Sequence, residues 1–423
     1  MQVFKFGGAS VKDAEAVRNV LRVLQSQATD YLMIVVSAMG KTTNALEKVW
    51  HFREEGKTED ALAQMEHSVE FHQQVASELF PANDPVHERL GYILSELRQR
   101  ILTPPAENRD FSYDQIVSTG ELLSTTLVSA WLNLQGFGNT WLDARKLICT
   151  DSVYREAGVN WESSTQAINR AWTQVQPHPN GKVALTQGFI GCDAHGYTTT
   201  LGREGSDYTA AILAFALQAD SVTIWKDVPG MLNADPKFFE NTQRLARISY
   251  KEAIELSYYG ASVIHPKTIK PLQNADIPLY VRSFLEPTSP GTEIQSVTND
   301  DALIPSYIFK EDQVLISISP RDFSFIVEEN LSHLFGLLAR ERIRVNLMQN
   351  SALSFSVCAN RDPHRIERLL SALENDYIVR YNEPVTLITI RHYTEPVIRE
   401  LLTGKEILVE QRSRSTARYV VRN

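Results

Sequence analysis

The sequence predicts an α/β protein: a mostly parallel sheet with helices on both faces, followed by a smaller α+β, ferredoxin-like part. Three observations predict it. Apolar strand-like runs alternate with helix-period segments through the first two-thirds of the chain, the pattern of a parallel sheet. Tyr31 to Ser37 is a near-continuous apolar run, as a strand buried on both faces requires. Pro, Ser, Thr and Gly then cluster at Glu286 to Gly291, and a weak internal repeat follows. At 423 residues the chain exceeds one ordinary core, so two or more domains are expected.

The elements can be justified in order. Val3 to Phe6 is a short apolar strand running into Gly7-Gly8. Lys12 to Gln25 has helical periodicity, with Ala16, Val17, Val20, Leu21, Val23 and Leu24 on one broad face. After the strand at Tyr31 to Ser37, Asn44 to Arg100 is long, polar and helical, interrupted at Pro81 and Pro85, and reads as an inserted lid or hairpin. Gln115 to Leu134 reads as one helix ending before Gly136 and Gly138. Thr140 to Asp143 and Val183 to Phe189 are further strands. Ser206 to Leu217 is an Ala-rich helix, followed by the strand Ser221 to Trp225, a helix at Tyr250 to Tyr258 and a strand at Leu279 to Ser283.

The domain boundary is expected between about Ile294 and Ile308, giving parts 1–297 and 298–423. Beyond it, Val314 to Ser319, Val345 to Met348 and Leu353 to Cys358 are strands, with helices at Leu331 to Glu341 and Pro363 to Glu374. Thr386 to His392, Ile407 to Glu410 and Arg418 to Val421 are strands around a helix at Glu395 to Leu402. Val345 to Val357 and Val409 to Val421 align without a gap. A β-α-β-β plan with a returning helix fits a ferredoxin-like module. The first copy spans about 310–382 and a shorter second about 384–423. They form either a paired regulatory unit or a purely structural extension.

Composition narrows the function classes. The chain is 43% hydrophobic and 22% charged with net charge −9, which reads as a soluble globular protein without nucleic acid as main partner. Arg412, Arg414, Arg418 and Arg422 are spaced as one exposed strand face. Cys149, Cys192 and Cys358 share no short spacing, which suggests a reducing compartment and no zinc site. No apolar run is long enough to span a bilayer, and no signal peptide is expected at the strand-like start. A cytoplasmic protein without membrane contact is the expectation.

Five segments carry the chemistry. In Lys5-Phe-Gly-Gly-Ala-Ser10, two glycines after a strand allow backbone amides to approach an anion, beside a lysine. The same loop could be only a tight turn. Val36 to Asn44 contains Gly-Lys-Thr, but a P-loop needs glycine at position 35, where Val35 stands. Ser37, Thr42 and Thr43 remain as hydroxyls leaving a buried strand. In Ser118 to Ser124, Glu121 either stabilises a helix N-terminus or receives the ammonium group of a small substrate. Thr198 to Asp207 places hydroxyls, Gly202, Gly205, Arg203 and Asp207 before a buried helix. Ser206 or Asp207 caps that helix, and the Arg203 fork suits a carboxylate or phosphate. Trp225 to Lys237 leaves the C-terminal end of a strand, the edge where open α/β sheets bind ligands. Lys226 and Lys237 can face phosphates there, while Asp227 and Asp235 can order the loop or approach a metal.

Taken together these segments resemble the aspartokinase branch of the amino-acid kinase family. The resemblance also takes in Asp143-Ala-Arg145, Thr186-Gln-Gly-Phe-Ile-Gly191, the Asp-Val-Pro-Gly loop and Tyr259-Gly-Ala-Ser-Val-Ile-His-Pro266. Single motifs are weak, but their order and joint presence are specific. The resemblance implies a three-layer αβα amino-acid kinase fold and a C-terminal tandem of ACT modules that bind amino-acid effectors and mediate homodimerisation. It implies ATP-dependent phosphorylation of the L-aspartate side-chain carboxylate with Mg²⁺, the first step toward lysine, threonine and methionine.

On that resemblance Lys5 reaches the transferred phosphoryl group, and Gly7 and Gly8 offer amides. Ser37, Thr43, Glu121, Arg203 and Ser206 hold aspartate, with Glu121 on its ammonium group and Arg203 on a carboxylate. Asp207 orients Lys5, and the loop from Lys226 through Asp227 and Asp235 to Lys237 holds ATP. No general base is needed, because a side-chain carboxyl of pKa about 3.9 is already ionised. The alternatives are a kinase of the same fold acting on another acceptor, or a catalytically weak amino-acid sensor.

Four positions depart from the family's common pattern: Ala9 for threonine, Glu204 for glycine, Ser262 for lysine and Leu232 for an aromatic residue. Asn346 stands where some lysine-sensitive members have aspartate, which leaves lysine feedback open. His265 reads as structural. His51, His67 and His72 form no i, i+4 pair and read as no metal site.

Overall fold

The computed structural model describes residues 1–423 apart from 28, 261–263, 297–299, 302–303, 323 and 423. Ser262 and the expected boundary at 297/298 therefore lie outside the described residues. The chain forms two compact units. The first is Met1–Met231, Arg244–Ile254 and Ser262–Asn299; the second is Leu232–Gln243, Glu255–Ala261 and Asp300–Asn423.

The first unit begins with β1 (Gln2–Phe6), a 3-10 turn at Gly8–Val11, α1 (Ala14–Ser26) and β2 (Tyr31–Val36). Asp13 caps α1 by accepting from the Ala16 amide. Three helices follow: α2 (Thr42–Glu54), α3 (Thr58–Leu79) and α4 (Val86–Leu102). The insertion thus breaks at Gly56 (φ +74°) as well as at the prolines. It is also less of a lid than expected: Met65, Val69, Val75, Leu79, Leu90 and Leu97 join the main core. His72 is fully buried there, and burial pushes its imidazole down to about 4.

The helix expected over 115–134 is two, α5 (Arg109–Val117) and α6 (Thr119–Leu134), separated at Ser118. Then come β3 (Thr140–Leu142), α7 (Trp161–Gln174) and β4 (Lys182–Gln187). A short antiparallel hairpin follows, β5 (Ile190–Cys192) with β6 (Thr198–Thr200). Thr198 to Thr200, not assigned to an element from the sequence, is therefore a buried strand. α8 (Gly205–Leu217), β7 (Ser221–Lys226), β8 (Arg247–Ser249) and the start of α9 (Tyr250–Tyr259), whose residues from Glu255 on group with the second unit, come next. α10 (Pro266–Asn274), β9 (Leu279–Ser283) and β10 (Thr292–Gln295) complete the unit.

Its eight-stranded sheet has the order β3-β4-β2-β1-β7-β9-β10-β8. All described pairings are parallel except β9 with β10. β1 lies between β2 and β7, so its residues alternate between two covered faces. Phe4 and Phe6 point into the core shared with α1 to α6. Lys5 points to the other face, where α8 supplies its partner. His265 is the N-cap of α10, its Nδ1 accepting from the Lys267 amide.

The second unit contains β11 (Ser306–Pro320), α11 (Glu328–Arg340), β12 (Val345–Asn350), β13 (Phe355–Asn360) and α12 (Pro363–Leu373). β14 (Tyr377–Arg391), α13 (Glu395–Leu402), β15 (Glu406–Arg412) and β16 (Thr416–Arg422) complete it. One antiparallel sheet of order β12-β13-β11-β14-β16-β15 holds both copies of the repeat. The apparent shortness of the second copy has a topological reason. Ser306 to Lys310 pairs with Leu387 to Arg391, so that copy takes its first strand from the stretch ahead of the first copy. An irregularity between Lys310 and Gln313 separates the two halves of β11. Arg418 is not on an exposed face as expected: it is half-buried, lies over the Tyr259 ring and donates to the Asn346 carbonyl.

Candidate active site

Four loops at the C-terminal ends of β1, β2, β4 and β7 are knitted together by backbone contacts. The Gly40 amide donates to the Gly8 carbonyl at 3.0 Å, and the Ser37 amide to the Phe6 carbonyl at 3.1 Å. A Cβ on Gly8 would lie 2.8 Å from the Gly40 oxygen and 2.9 Å from the Ala38 oxygen, so only glycine fits. The Ser10 hydroxyl donates to the Trp225 carbonyl and ties the first loop to the end of β7. Ala9, next to it, is exposed.

Behind the loops lies a buried charge cluster. Lys5 is 7% exposed and Asp207, in the first turn of α8, 2%. Lys5 Nζ lies 2.6 Å from Asp207 Oδ1, and Lys226 Nζ 3.6 Å from Oδ2. Burial alone would raise the Asp207 carboxyl, but the Lys5 and Lys226 ammonium groups outweigh it and hold the carboxyl below its usual range. A Cβ on Gly7 would sit 3.3 Å from Lys5 Nζ, so this glycine leaves room beside the ammonium.

Glu121 lies in the first turn of α6 and is 2% exposed. Its Oε2 is buried without a hydrogen-bond partner among the described residues. Burial pushes its carboxyl up to about 8, against the smaller opposing effect of the Glu121 and Ala38 amides. Gly120 lets α6 settle onto the second loop: a Cβ there would touch Ala38 and Thr42 at 3.1–3.2 Å. Ser37, whose carbonyl accepts from Ser124 at 2.6 Å, and half-buried Thr43 border the same loop.

Ser206 is brought in from the other side. The Gly188 amide donates to the Val36 carbonyl, and a Cβ on Gly188 would lie 2.4 Å from the Ser206 Cβ. Arg203 is exposed on the loop before α8. Glu204, the N-cap, holds a left-handed φ of +53°, with Oε2 buried and without a hydrogen-bond partner among the described residues. A left-handed backbone is the conformation glycine tolerates best.

Contacts thus link the surroundings of Lys5, Gly7, Gly8, Ser37, Glu121, Ser206, Asp207 and Lys226. Asp227 is exposed at the end of β7. Asp235 and Lys237 belong to the segment that groups with the second unit, where Asp235 Oδ1 accepts from the Lys237 amide at 2.9 Å and orders its own turn.

Sequence reasoning missed two supports. Asp114 is fully buried and receives the Thr200 amide, the Thr200 hydroxyl and the Arg155 amide, fixing β6 ahead of the Arg203 loop. Burial raises its carboxyl to about 6 despite these donors. An acid among the apolar residues of α5 was the available signal. Gly188 gave no signal beyond its motif.

In the second unit, buried Asn346 accepts from Lys310 Nζ at 3.0 Å and donates to Gln313 and Asn360, each at 2.7 Å. Burial pushes the Lys310 ammonium down to about 8, helped by Arg344 and Arg418.

The sequence profile of the amino acid kinase family matches residues 1–283. Lysine-sensitive aspartokinase 3 of Escherichia coli (strain K12) is 32% identical over 357 residues, covering 84% of this chain and 77% of that protein. Aspartokinase 2, chloroplastic, of Arabidopsis thaliana is 29% identical over 406 residues, 92% of this chain and 73% of that protein. The crystal structure of E. coli aspartokinase III in complex with lysine and aspartate (T-state) superposes with a TM-score of 0.83 at 28% identity. The same enzyme with aspartate and ADP (R-state) gives 0.81 at 27% identity, and both comparisons cover 100% of this chain and 96% of that one. With its parallel sheet, glycine loop and buried lysine–aspartate pair, the chain belongs to the amino acid kinase family, on its aspartokinase branch.

Proposed function

We propose that this protein transfers the γ-phosphoryl group of ATP to the side-chain carboxylate of L-aspartate, forming 4-phospho-L-aspartate, the first step toward lysine, threonine and methionine. The observation that carries the reading is Glu121, a buried carboxylate with one oxygen unpartnered. Such a group is costly unless a cation arrives to meet it, and the α-ammonium of an amino acid is a cation of the right size. On the family resemblance Ser37, Thr43 and Ser206 would offer hydroxyls to the same substrate, and Arg203 a fork for a carboxylate.

With aspartate held at its ammonium end, its ionised side chain needs alignment and relief of charge repulsion rather than deprotonation. Lys5, fixed by Asp207, meets the transferred group, and the Gly7 and Gly8 amides face the phosphates. The family resemblance would give Lys226 and Asp227 to the nucleotide, and Asp235 and Lys237 are proposed for it from their motif in the sequence alone. No group of three or more metal-ligating side chains occurs among the described residues. That donor set fits Mg²⁺ carried on the ATP phosphates and waters, with Asp227 the carboxylate nearest to hand in sequence. When bound, Mg²⁺ would neutralise developing phosphate charge.

The catalytic part would be 1–297 and the ACT tandem 298–423, the latter a dimerisation surface and a candidate site for an amino-acid effector. Relatives include an enzyme named lysine-sensitive, so L-lysine is the first effector to try. No helix among the described residues is long and apolar enough to cross a membrane, and a cytoplasmic homodimer is the assembly proposed. The test is ADP release with aspartate as sole acceptor, measured beside Lys5→Ala. Aspartate-dependent turnover in the wild type only supports the reading; equal silence of both proteins would sink it.

A further inference from the structure

The three cysteines are free thiols, and the fold brings two of them together. Cys149 lies on the stretch after β3, and Cys192 ends β5. They are direct partners in a parallel bridge. The Cys192 amide donates to the Ile148 carbonyl and the Thr150 amide to the Cys192 carbonyl, each at 2.9 Å. That pattern fixes the register, so both side chains leave the same face of the bridge. Bridged strands run about 4.8 Å apart, inside the roughly 4.4–6.8 Å between Cα atoms that a disulfide spans. Both cysteines are half-buried, so a small oxidant can reach them. Cys358 differs: it is fully buried, and burial pushes its thiol up to about 12. No third metal-ligating side chain joins the pair among the described residues, so the chemistry open to it is that of two thiols.

We infer that Cys149 and Cys192 form a reversible disulfide that slows the enzyme by moving its aspartate side. The disulfide stands apart from the kinase reading; its effect on aspartate rests on that reading. The oxidant is a low-molecular-weight disulfide such as oxidised glutathione. The Cys149 thiolate bonds to one of its sulfurs, and the other leaves as a thiolate. The Cys192 sulfur then gives up its proton and bonds to the Cys149 sulfur, expelling the second small thiolate. Two protein thiols are oxidised, one small disulfide is reduced, and the two thiol protons end on the two small thiols. Cys192 is the resolving partner, because burial and the Asp193 carboxylate raise its thiol against the Arg145 guanidinium, and thiols attack as thiolates. Its present hydrogen bond, donated to the Asp193 carbonyl at 3.4 Å, is a weak one to give up.

The bridge pulls on two stretches already in close approach. Cβ atoms on one face of adjacent strands stand about 5 Å apart, against roughly 3.5–4.5 Å in a disulfide, so oxidation draws them together by on the order of 1 Å. At Gly191 a Cβ would already lie 2.8 Å from the Ile148 carbonyl oxygen, so the β5–β6 hairpin shifts rather than compresses. Contacts carry the shift onward. Thr150 Oγ1 meets Thr199 Oγ1 at 2.7 Å, and the Ala157 amide donates to the Thr200 carbonyl at 3.0 Å. β6 then runs into the loop that holds Arg203, where a displacement of about 1 Å can cost on the order of 10²-fold. Lys5 and the Gly7–Gly8 loop follow from β1, which belongs to a different sheet, so the ATP side is left in place.

Full-length wild type, treated with oxidised glutathione or with dithiothreitol, is digested without reduction, mapped by mass spectrometry and assayed in parallel. The expected map shows a peptide linking Cys149 to Cys192, with Cys358 unmodified. Oxidation should lower kcat/KM for aspartate about 10- to 100-fold, with KM for ATP within about twofold; dithiothreitol should restore the reduced rate. Cys149→Ser and Cys192→Ser should turn over like reduced wild type and ignore the oxidant; Cys149→Ala is a second variant should serine disturb folding. Separate glutathione adducts without the internal link, a link that leaves aspartate kinetics unchanged, or an equal loss in Cys149→Ser overturns the inference and leaves the kinase reading standing. A reduced wild type without aspartate-dependent turnover overturns the kinase reading and the kinetic half of this one, while the peptide map still decides the disulfide.

Discussion

Replacing Glu121 with glutamine should make the empty protein more stable while disabling it. The carboxyl has an ordinary value of 4.5 and is pushed up to about 8 by burial, with Oε2 unpartnered. A carboxyl whose folded value is raised binds more protons folded than unfolded. Its destabilising effect is therefore absent below pH 4.5, grows between 4.5 and 8, and is complete above 8. At 1.36 kcal/mol per pH unit the cost is about 3 kcal/mol at pH 7 and about 5 kcal/mol at pH 9. Glutamine does not titrate and escapes it. The variant's catalytic unit should melt roughly 5–10 °C higher at pH 7, with no gain at pH 4.5. Its kcat/KM for aspartate should fall about 10²-fold, because the substrate ammonium loses a charged partner. The same proton bookkeeping predicts that the wild-type KM for aspartate falls as pH rises from 6 to 8, approaching tenfold per unit, and that the variant's profile is flat. Calorimetric melting across pH 4.5–9 is the assay. A melting difference that is zero or independent of pH would refute a neutral, waiting carboxyl at Glu121.

Three further outcomes follow from the same geometry. Asp207→Asn removes the buried carboxylate that Lys5 Nζ meets at 2.6 Å and should cost about 3–5 kcal/mol in chemical denaturation, together with measurable turnover; a loss under 1 kcal/mol would contradict the buried pair. Gly188→Ala drives a Cβ to 2.4 Å from that of Ser206 and should cost about 1–3 kcal/mol. It should also lower kcat/KM for aspartate sharply, by shifting Arg203, Ser206 and Asp207 together. Glu204→Gly relieves a left-handed backbone at about 1 kcal/mol, offset by the roughly 0.5–1 kcal/mol of extra freedom glycine loses on folding, and removes negative charge beside the phosphate region. KM for ATP should therefore fall with melting nearly unchanged, and a rise in KM would show that the carboxylate serves binding.

Much of the fold was legible because buried parallel strands write themselves as apolar runs. The strands containing Phe4, Ile34, Leu185 and Ile224 lie inside the sheet and are buried almost throughout, so most of their side chains are apolar. Elements that lie at an edge or in a hairpin were lost. Thr198 to Thr200 reads as polar, yet its hydroxyl and amide groups are satisfied by Asp114 and Thr150. Thr292 to Gln295 is too short and polar to signal the strand that extends the main sheet. The break at Ser118 carries no proline or glycine, and α5 and α6 run on in sequence as one periodic stretch. In the site, residue types were legible but their economy was not. The sequence offers Lys5, Asp207 and Lys226 as separate motif members, and only strand register reveals that both lysines share one carboxylate. The same holds for Glu204, whose strain depends on a backbone angle that no residue pattern states.

Hydroxylamine trapping during turnover with ATP, Mg²⁺ and L-aspartate tests the central claim most directly, because it identifies the acceptor atom. The account predicts aspartate β-hydroxamate, formed in step with ADP by the wild type and lost in Lys5→Ala. ADP release without hydroxamate, or the α-hydroxamate instead, would contradict transfer to the side-chain carboxylate.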